Sequence, residues 1–253
     1  MNYKAALCGA ALVFAAPASA EDFFFWSDTS LTLLHGTNFE VDSEDQTTVT
    51  FEHVNGHKYG DFFMFFDYIT YHDSPLNDGQ YGEISPRFSA GKIFDKDLSF
   101  GIVQDVLATF TYEFGKGNVE SVLYGPAVDL ALPGFDFFQL NLYKRDPNNN
   151  DSEGWQLTPV WKATFEVGQS ELVVDGYIDW VFKSDNSNYE ENLHINPQIK
   201  YDLGMSLWGA ESKGQLYVGI EYDYWSNKYG ISDDVPFDVD QEDAVSAIVK
   251  YHF

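Results

Sequence analysis

Asp61-Phe62-Phe63-Met64-Phe65-Phe66-Asp67-Tyr68 decides how this chain folds. Both alternate faces of the stretch are apolar, but only one carries charge: Asp61 and Asp67 share a phase with Phe63 and Phe65. The other phase, Phe62, Met64, Phe66 and Tyr68, is uncharged throughout. Successive side chains of an extended strand point to opposite faces. A charge facing lipid costs about 2–4 kcal/mol at the bilayer midplane for Lys or Arg and less for acids, so the uncharged phase is the one suited to hydrocarbon. Phe63 and Phe65 then face inward, flanked by carboxylates. The same test divides residues 192–203. Asn192, His194, Asn196, Gln198, Lys200 and Asp202 share one face, and Leu193, Ile195, Pro197, Ile199, Tyr201 and Leu203 the other. A soluble barrel buries its apolar phase inward; here the polar phase is rich enough to line a hydrated interior.

Outward from these two stretches the period of two recurs along the chain. The clearest segments are 31–39, 47–54, 58–70, 81–91, 98–115, 120–131, 135–145, 155–167, 171–183, 192–203, 215–225 and 245–253. They predict about twelve strands, an even number. Asn55-Gly56-His57, Leu132-Pro133-Gly134 and Gly168-Gln169-Ser170 read as tight turns. Longer polar connections fall between them at 40–46, 72–80, 146–153, 184–190 and 226–243. Residues 116–118 are short for the long side and 204–213 long for the short side, so the alternation is a tendency. Tight turns at one end and polar loops at the other describe a transmembrane antiparallel β-barrel with periplasmic turns and outer loops. Counted this way, both termini lie on the periplasmic side.

The last segment is the strongest single signal. Val245, Ala247, Val249, Tyr251 and Phe253 share one phase, interleaved with Ser246, Lys250 and His252. A terminal aromatic after alternating apolar residues resembles the assembly signal read by the outer-membrane insertion machinery. At the other end, Lys4, the apolar run 5–16 and Ala18-Ser19-Ala20 have the layout of a secretory leader. The expected division is therefore a leader at 1–20 and a barrel at 21–253. No later apolar stretch approaches the ~18–20 uncharged residues of a spanning helix.

Composition agrees. The chain has 253 residues, 17% of them aromatic, and a formal charge of −26. The aromatic share excludes acid-driven disorder. With 14 basic residues against 40 acidic ones, nucleic acid is an improbable partner, since its phosphates would be repelled. The single cysteine, Cys8, falls in the expected leader, which excludes a disulfide framework or cysteine metal site in the remainder.

At 81–105 the residues resemble a known family. Glu83-Ile84-Ser85-Pro86-Arg87-Phe88-Ser89, then Asp97-Leu98-Ser99-Phe100-Gly101 and Gln104-Asp105, are similar to the Tsx-like nucleoside-specific outer-membrane channels. The Asp61 to Asp67 spacing and Gly176-Tyr177-Ile178-Asp179-Trp180 are similar too, so the resemblance touches most of 61–253. It implies a monomeric twelve-stranded barrel in the Gram-negative outer membrane, a narrow aromatic lumen that passes nucleosides, and outer loops open to bacteriophage.

A nucleoside is flat, uncharged and hydroxyl-rich. Aromatic faces stack on bases at ~1–3 kcal/mol, and side-chain acceptors take sugar hydroxyls. Several modest sites in series suit a channel, which must also release its solute. Lumen carboxylates would turn away phosphorylated nucleotides. The lumen candidates are Phe63 and Phe65 for stacking, with Asp61, Asp67, Arg87, Asp105, Glu113, Tyr177 and Asp179 as polar partners. No cofactor or energy source is expected.

Two rival classes are a receptor or structural barrel with a closed lumen, and an outer-membrane phospholipase. The phospholipase needs a Ser activated by His. Of His35, His53, His57, His72, His194 and His252, only His194-Ile195-Asn196 has a suggestive neighbour, and the expected Ser is missing. The acidic run Asp233, Asp234, Asp238, Asp240, Glu242 and Asp243 lacks EF-hand spacing and reads as a solvated loop.

Overall fold

The computed structural model describes residues 23–72, 78–117, 119–147, 153–185, 189–231 and 241–253. The expected leader lies outside the described residues, as do Asp233, Asp234, Asp238 and Asp240. The described residues form twelve antiparallel strands. These are β1 (Phe24–Thr37), β2 (Gln46–His57), β3 (Gly60–Tyr71), β4 (Gly79–Ser89), β5 (Val103–Gly115) and β6 (Val119–Leu130). They continue with β7 (Phe137–Pro147), β8 (Gly154–Val167), β9 (Ser170–Ser184), β10 (Asn192–Asp202), β11 (Leu216–Ser226) and β12 (Gln241–His252). Each pairs with its sequence neighbours, and β12 closes on β1 with Val249 opposite Leu33, so the barrel has no free edge.

The alternation explains why this cylinder is turned inside out relative to a soluble one. Leu31, Leu33, Phe51, Phe110, Tyr124, Trp180, Ile199, Ile220, Val245 and Val249 project outward and are exposed. Inward stand Ser30, Thr32, Thr109, Asn141, Gln156, His194, Asn196, Lys200 and Lys250, all buried. A bilayer satisfies the first set, and only a closed sheet gives every mid-membrane backbone group a partner. Replacing Ile220, midway along β11, by Arg is therefore expected to cost about 2–4 kcal/mol of folding free energy in lipid vesicles. Urea titration of tryptophan fluorescence measures it. A cost near zero would place that face in water.

The two ends differ in construction. At one end Gly168-Gln169 joins β8 to β9 in two residues, with Gly168 at φ 65°, a conformation glycine adopts without strain. Residues 131–136 turn at Pro133-Gly134. Two connections at this end are helical caps: α1 (Ala90–Phe94) and α2 (Leu203–Trp208), the latter followed by a 3-10 turn at Ala210–Ser212. Ser89 caps α1 by accepting from the Lys92 amide at 3.1 Å, and Asp202 caps α2 by accepting from the Met205 amide at 2.8 Å. Asp202 also accepts from the Gly214 amide at 2.6 Å, tying down the far end of that connection. The opposite, long-connection end carries 38–45, 72–78, 148–153, 185–191 and 227–240, with 116–118 short, although the two helical connections at the tight-turn end, 90–102 and 203–215, run to 13 residues each. The first residue of β1 and the last of β12 lie at the tight-turn end.

Several boundaries differ from the sequence reading. Asn55-Gly56-His57 belongs to β2, and the turn is Lys58-Tyr59, between His57 and Gly60. Gly56 is there because the Trp26 indole lies on it: a Cβ would stand 2.3 Å from Trp26 Nε1. Residues 98–102 are not strand. Asp97 accepts from the Ser99 amide at 2.9 Å and hydroxyl at 2.6 Å, bonds that also hold its carboxyl below the usual carboxylate range, and Phe100 and Val103 pair across a tight bridge. Leu98, Phe100 and Ile102 alternate with Ser99 and Gly101 as a strand would, yet all three are exposed at the tight-turn end. Likewise Gly91, read as strand, sits in α1, because the Ser89 cap turns the chain. β1 and β12 start earlier than expected, at Phe24 and Gln241, which places Glu242 and Asp243 in a strand. Glu242 is fully buried, paired with Lys228 and accepting from the Glu40 amide at 2.8 Å, so it is no solvated loop carboxylate.

Candidate functional site

All nine sequence-predicted lumen residues sit on strands, on the phase that lines the interior. Arg87 on β4 anchors one cluster. Its guanidinium grips Asp61 on β3 at 2.8 and 2.6 Å, and reaches over β5 to Asp129 on β6 at 2.8 Å. Arg87 is only 5% exposed, while the two carboxylates keep 25% and 27% of their side-chain surface. Forked, charge-assisted pairing of this kind fixes geometry as well as energy. Asp105 stands beside the cluster and accepts from the Ser89 hydroxyl at 2.8 Å.

A second network crosses the other half of the barrel. Arg145 on β7 forks onto Glu113 on β5 at 2.9 and 2.6 Å, again skipping the strand between. Arg145 also donates to Gln156 on β8, whose amide donates to Asp179 on β9 at 2.7 Å. Thr158 donates to the same Asp179 oxygen at 2.6 Å. Glu113 and Asp179, four strands apart, thus belong to one relay of hydrogen bonds.

The aromatic candidates form a short ladder. Phe63 and Phe65 lie 5.9 Å apart on β3, and Tyr81 on β4 continues the row 5.7 Å from Phe65. Acceptors flank it: Asp67, which takes the Thr50 hydroxyl at 2.5 Å, and Glu83, which takes the Tyr81 hydroxyl at 2.7 Å. In the ring of twelve, β9 lies six strands from β3, directly across the barrel. There Tyr177 meets His194 edge-on at 5.2 Å, and His194 stacks on Trp225 at 3.8 Å while bonded to Asp223 at 2.6 Å. His194 is thus oriented by a carboxylate and two rings.

The sequence reading passed over several inward groups. Lys200 pairs with Asp175 and Lys250 with Glu52, at 2.7 and 2.6 Å. Arg145, Glu83, Asp129, Glu221, Trp225 and Tyr143 were also missed. Extending the inward phase of each strand would have flagged them all. Among the described residues, the inward cations Arg87, Arg145, Lys200 and Lys250 each hold a carboxylate, whereas Lys162 on β8, opposite Asp175, forms no ion pair. Asp67, Glu83, Asp179 and Glu221 instead hydrogen-bond to neutral groups. The lining is therefore acidic on balance, which repels anions and accepts hydroxyl donors.

Known proteins resemble this chain at three levels. The family model described as nucleoside-specific channel-forming protein, Tsx, matches residues 21–253. Outer membrane protein OmpK of Vibrio parahaemolyticus is 35% identical over 104 residues, 40% of this chain and 40% of that protein. The OmpK of V. parahaemolyticus serotype O3:K6 is 32% identical over 110 residues, again 40% of this chain and 41% of the relative. The aligned stretch thus spans well under half the length of these curated relatives. Among solved structures, the KdgM porin is 10% identical with a TM-score of 0.51, covering 88% of this chain and 99% of its own, a likeness of fold alone. With the family model matching residues 21–253 and a closed ring of twelve strands, this chain belongs to the Tsx family of outer-membrane channel-forming proteins.

Proposed function

We propose that the barrel lets nucleosides, or flat uncharged solutes like them, diffuse passively across the outer membrane into the periplasm. The observation that carries this reading is the Phe63, Phe65 and Tyr81 row flanked by Asp67 and Glu83, inside a lining that is acidic on balance. A base can lie on the rings while ribose hydroxyls donate to the carboxylates. With four inward cations already paired and carboxylates in excess, a phosphate meets net repulsion. The family match starts at residue 21, in keeping with an exported chain whose leader ends at Ala20. The long connections then face outward, where phage can reach them, and both termini face the periplasm. Exposed Phe253, edge-on to Tyr251, supports the reading that the insertion machinery recognises this strand, and a closed ring suits a barrel that works as a monomer.

Liposome swelling with adenosine, thymidine and a size-matched sugar tests the proposal. Both nucleosides should enter faster than the sugar, and equal rates would reduce the protein to a general pore. A receptor or structural barrel is the second reading, favoured by an interior in which Ser89, Thr109 and Asp202 have no exposed surface. Absence of swelling with all three solutes would support it.

A further inference from the structure

Outside the lumen, at the long-connection end, three side chains from separate segments converge on the outer wall. His35 is near the end of β1, Asp45 closes the 38–45 connection, and His72 directly follows β3. Their donor atoms all lie within 4.8 Å of one another, the one such grouping of three among the described residues. His35 Nδ1 is 3.1 Å and His72 Nε2 2.8 Å from the same Thr47 hydroxyl oxygen. One hydroxyl has a single proton to donate, so it serves both rings only if one of them presents an N–H.

The carboxylate is held in place by backbone rather than by a side-chain partner. The His72 amide donates to the Asp45 carbonyl at 3.0 Å, the Ser43 hydroxyl donates to that carbonyl at 3.2 Å, and buried Gln46 donates to the Ser43 carbonyl at 2.8 Å. Asp45 Oδ1 is shielded from solvent yet has no hydrogen-bond partner. His35 Nδ1 stands 3.7 Å from it, beyond hydrogen-bond reach. Shielded acceptors are rarely left unsatisfied, and an orphan carboxylate oxygen facing two imidazoles is what an empty cation site presents.

We propose that His35, Asp45 and His72 bind one divalent transition-metal ion of the zinc class. Two imidazoles and one carboxylate suit Zn²⁺, Ni²⁺ or Cu²⁺, whereas Ca²⁺ and Mg²⁺ take all-oxygen shells. Ligand atoms at about 2.0–2.2 Å from a tetrahedral ion lie roughly 3.3–3.5 Å apart, so the observed spacing needs to contract by about an ångström. Exposed His35 and His72 have the rotamer freedom for this. A bound ion pins the 38–45 connection to the end of β3.

The test uses the mature, untagged barrel in detergent micelles, with Co²⁺ as the spectroscopic probe. One Co²⁺ per chain should give a visible d–d band, be displaced by Zn²⁺, and be indifferent to Ca²⁺ or Mg²⁺. His35→Gln and His72→Gln should each weaken binding by more than the ~10–100-fold that loss of an outer-shell partner costs. Asp45→Asn should weaken it at least about tenfold, and His53→Gln, elsewhere on the wall, should leave it unchanged. Hydrogen exchange of the wild-type barrel should slow across 38–45 when Zn²⁺ is added. Binding indifferent to His35→Gln and His72→Gln, no saturable binding by the folded barrel, or unaltered exchange in 38–45 would each overturn the proposal.

Discussion

Replacing Arg87 by Leu is expected to cost about 3–5 kcal/mol of folding free energy. The guanidinium is nearly inaccessible and neutralises Asp61 and Asp129 at once, so its loss leaves two acidic groups facing each other across three strands. Lumen water reaches both carboxylates, which keeps the cost at this level rather than higher. Urea unfolding in lipid vesicles measures it. The triple variant with Asp61→Asn and Asp129→Asn should recover most of the loss, because removing all the charges removes the uncompensated one. A cost below about 1 kcal/mol for Arg87→Leu, the range of solvated surface pairs, would mean the cluster behaves as though fully hydrated.

How much of this was legible in the sequence follows from the same physics. Hydrocarbon outside and water inside impose a period of two on every strand, so all twelve strands and the inward phase of Asp61, Phe63, Phe65, Asp67, Arg87, Asp105, Glu113, Tyr177 and Asp179 could be read directly. The ends of strands could not. At the tight-turn end no hydrocarbon constrains the pattern, and Leu98, Phe100 and Ile102 alternate without being strand. The Ser89 and Asp202 caps that stop β4 and β10 depend on local side-chain to backbone bonds that periodicity does not register.

The partners of the site residues were hidden for a different reason. Arg87 reaches Asp129 and Arg145 reaches Glu113 by passing over an intervening strand. Such contacts depend on the tilt and curvature of a closed sheet and on which intervening residue is small, and neither is a property of one strand. On the strands passed over, Thr109 of β5 lies opposite Arg87 and Ser121 of β6 lies opposite Glu113, both small. A reading strand by strand therefore finds the charges but not their pairs. It named Arg87 and Glu113 as ligand contacts, although ion pairs already occupy both. The carboxylates free of cations, Asp67, Glu83 and Asp179, are better placed to meet a solute.

That distinction sharpens the second large prediction, which rests on the rings. Phe63→Ala with Phe65→Ala removes the two faces on which a base would lie, while Tyr81 remains on β4. Stacking on one aromatic is worth ~1–3 kcal/mol, and 1.4 kcal/mol is tenfold in an equilibrium constant. At low solute concentration the advantage of adenosine over a size-matched sugar should therefore fall by about tenfold or more. Sugar entry should hold steady or rise, since two bulky groups leave the lumen. Phe62→Ala with Phe66→Ala supplies the control. These rings lie one residue away but on the lipid phase, where Phe66 stacks on Phe114 at 6.4 Å, so their loss should cost stability and leave the solute ratio intact. If the Phe63 and Phe65 double variant folds, passes both solutes and keeps the wild-type ratio, the rings serve only to pack the wall, and selectivity must be sought on the opposite side, at Tyr177 and Trp225.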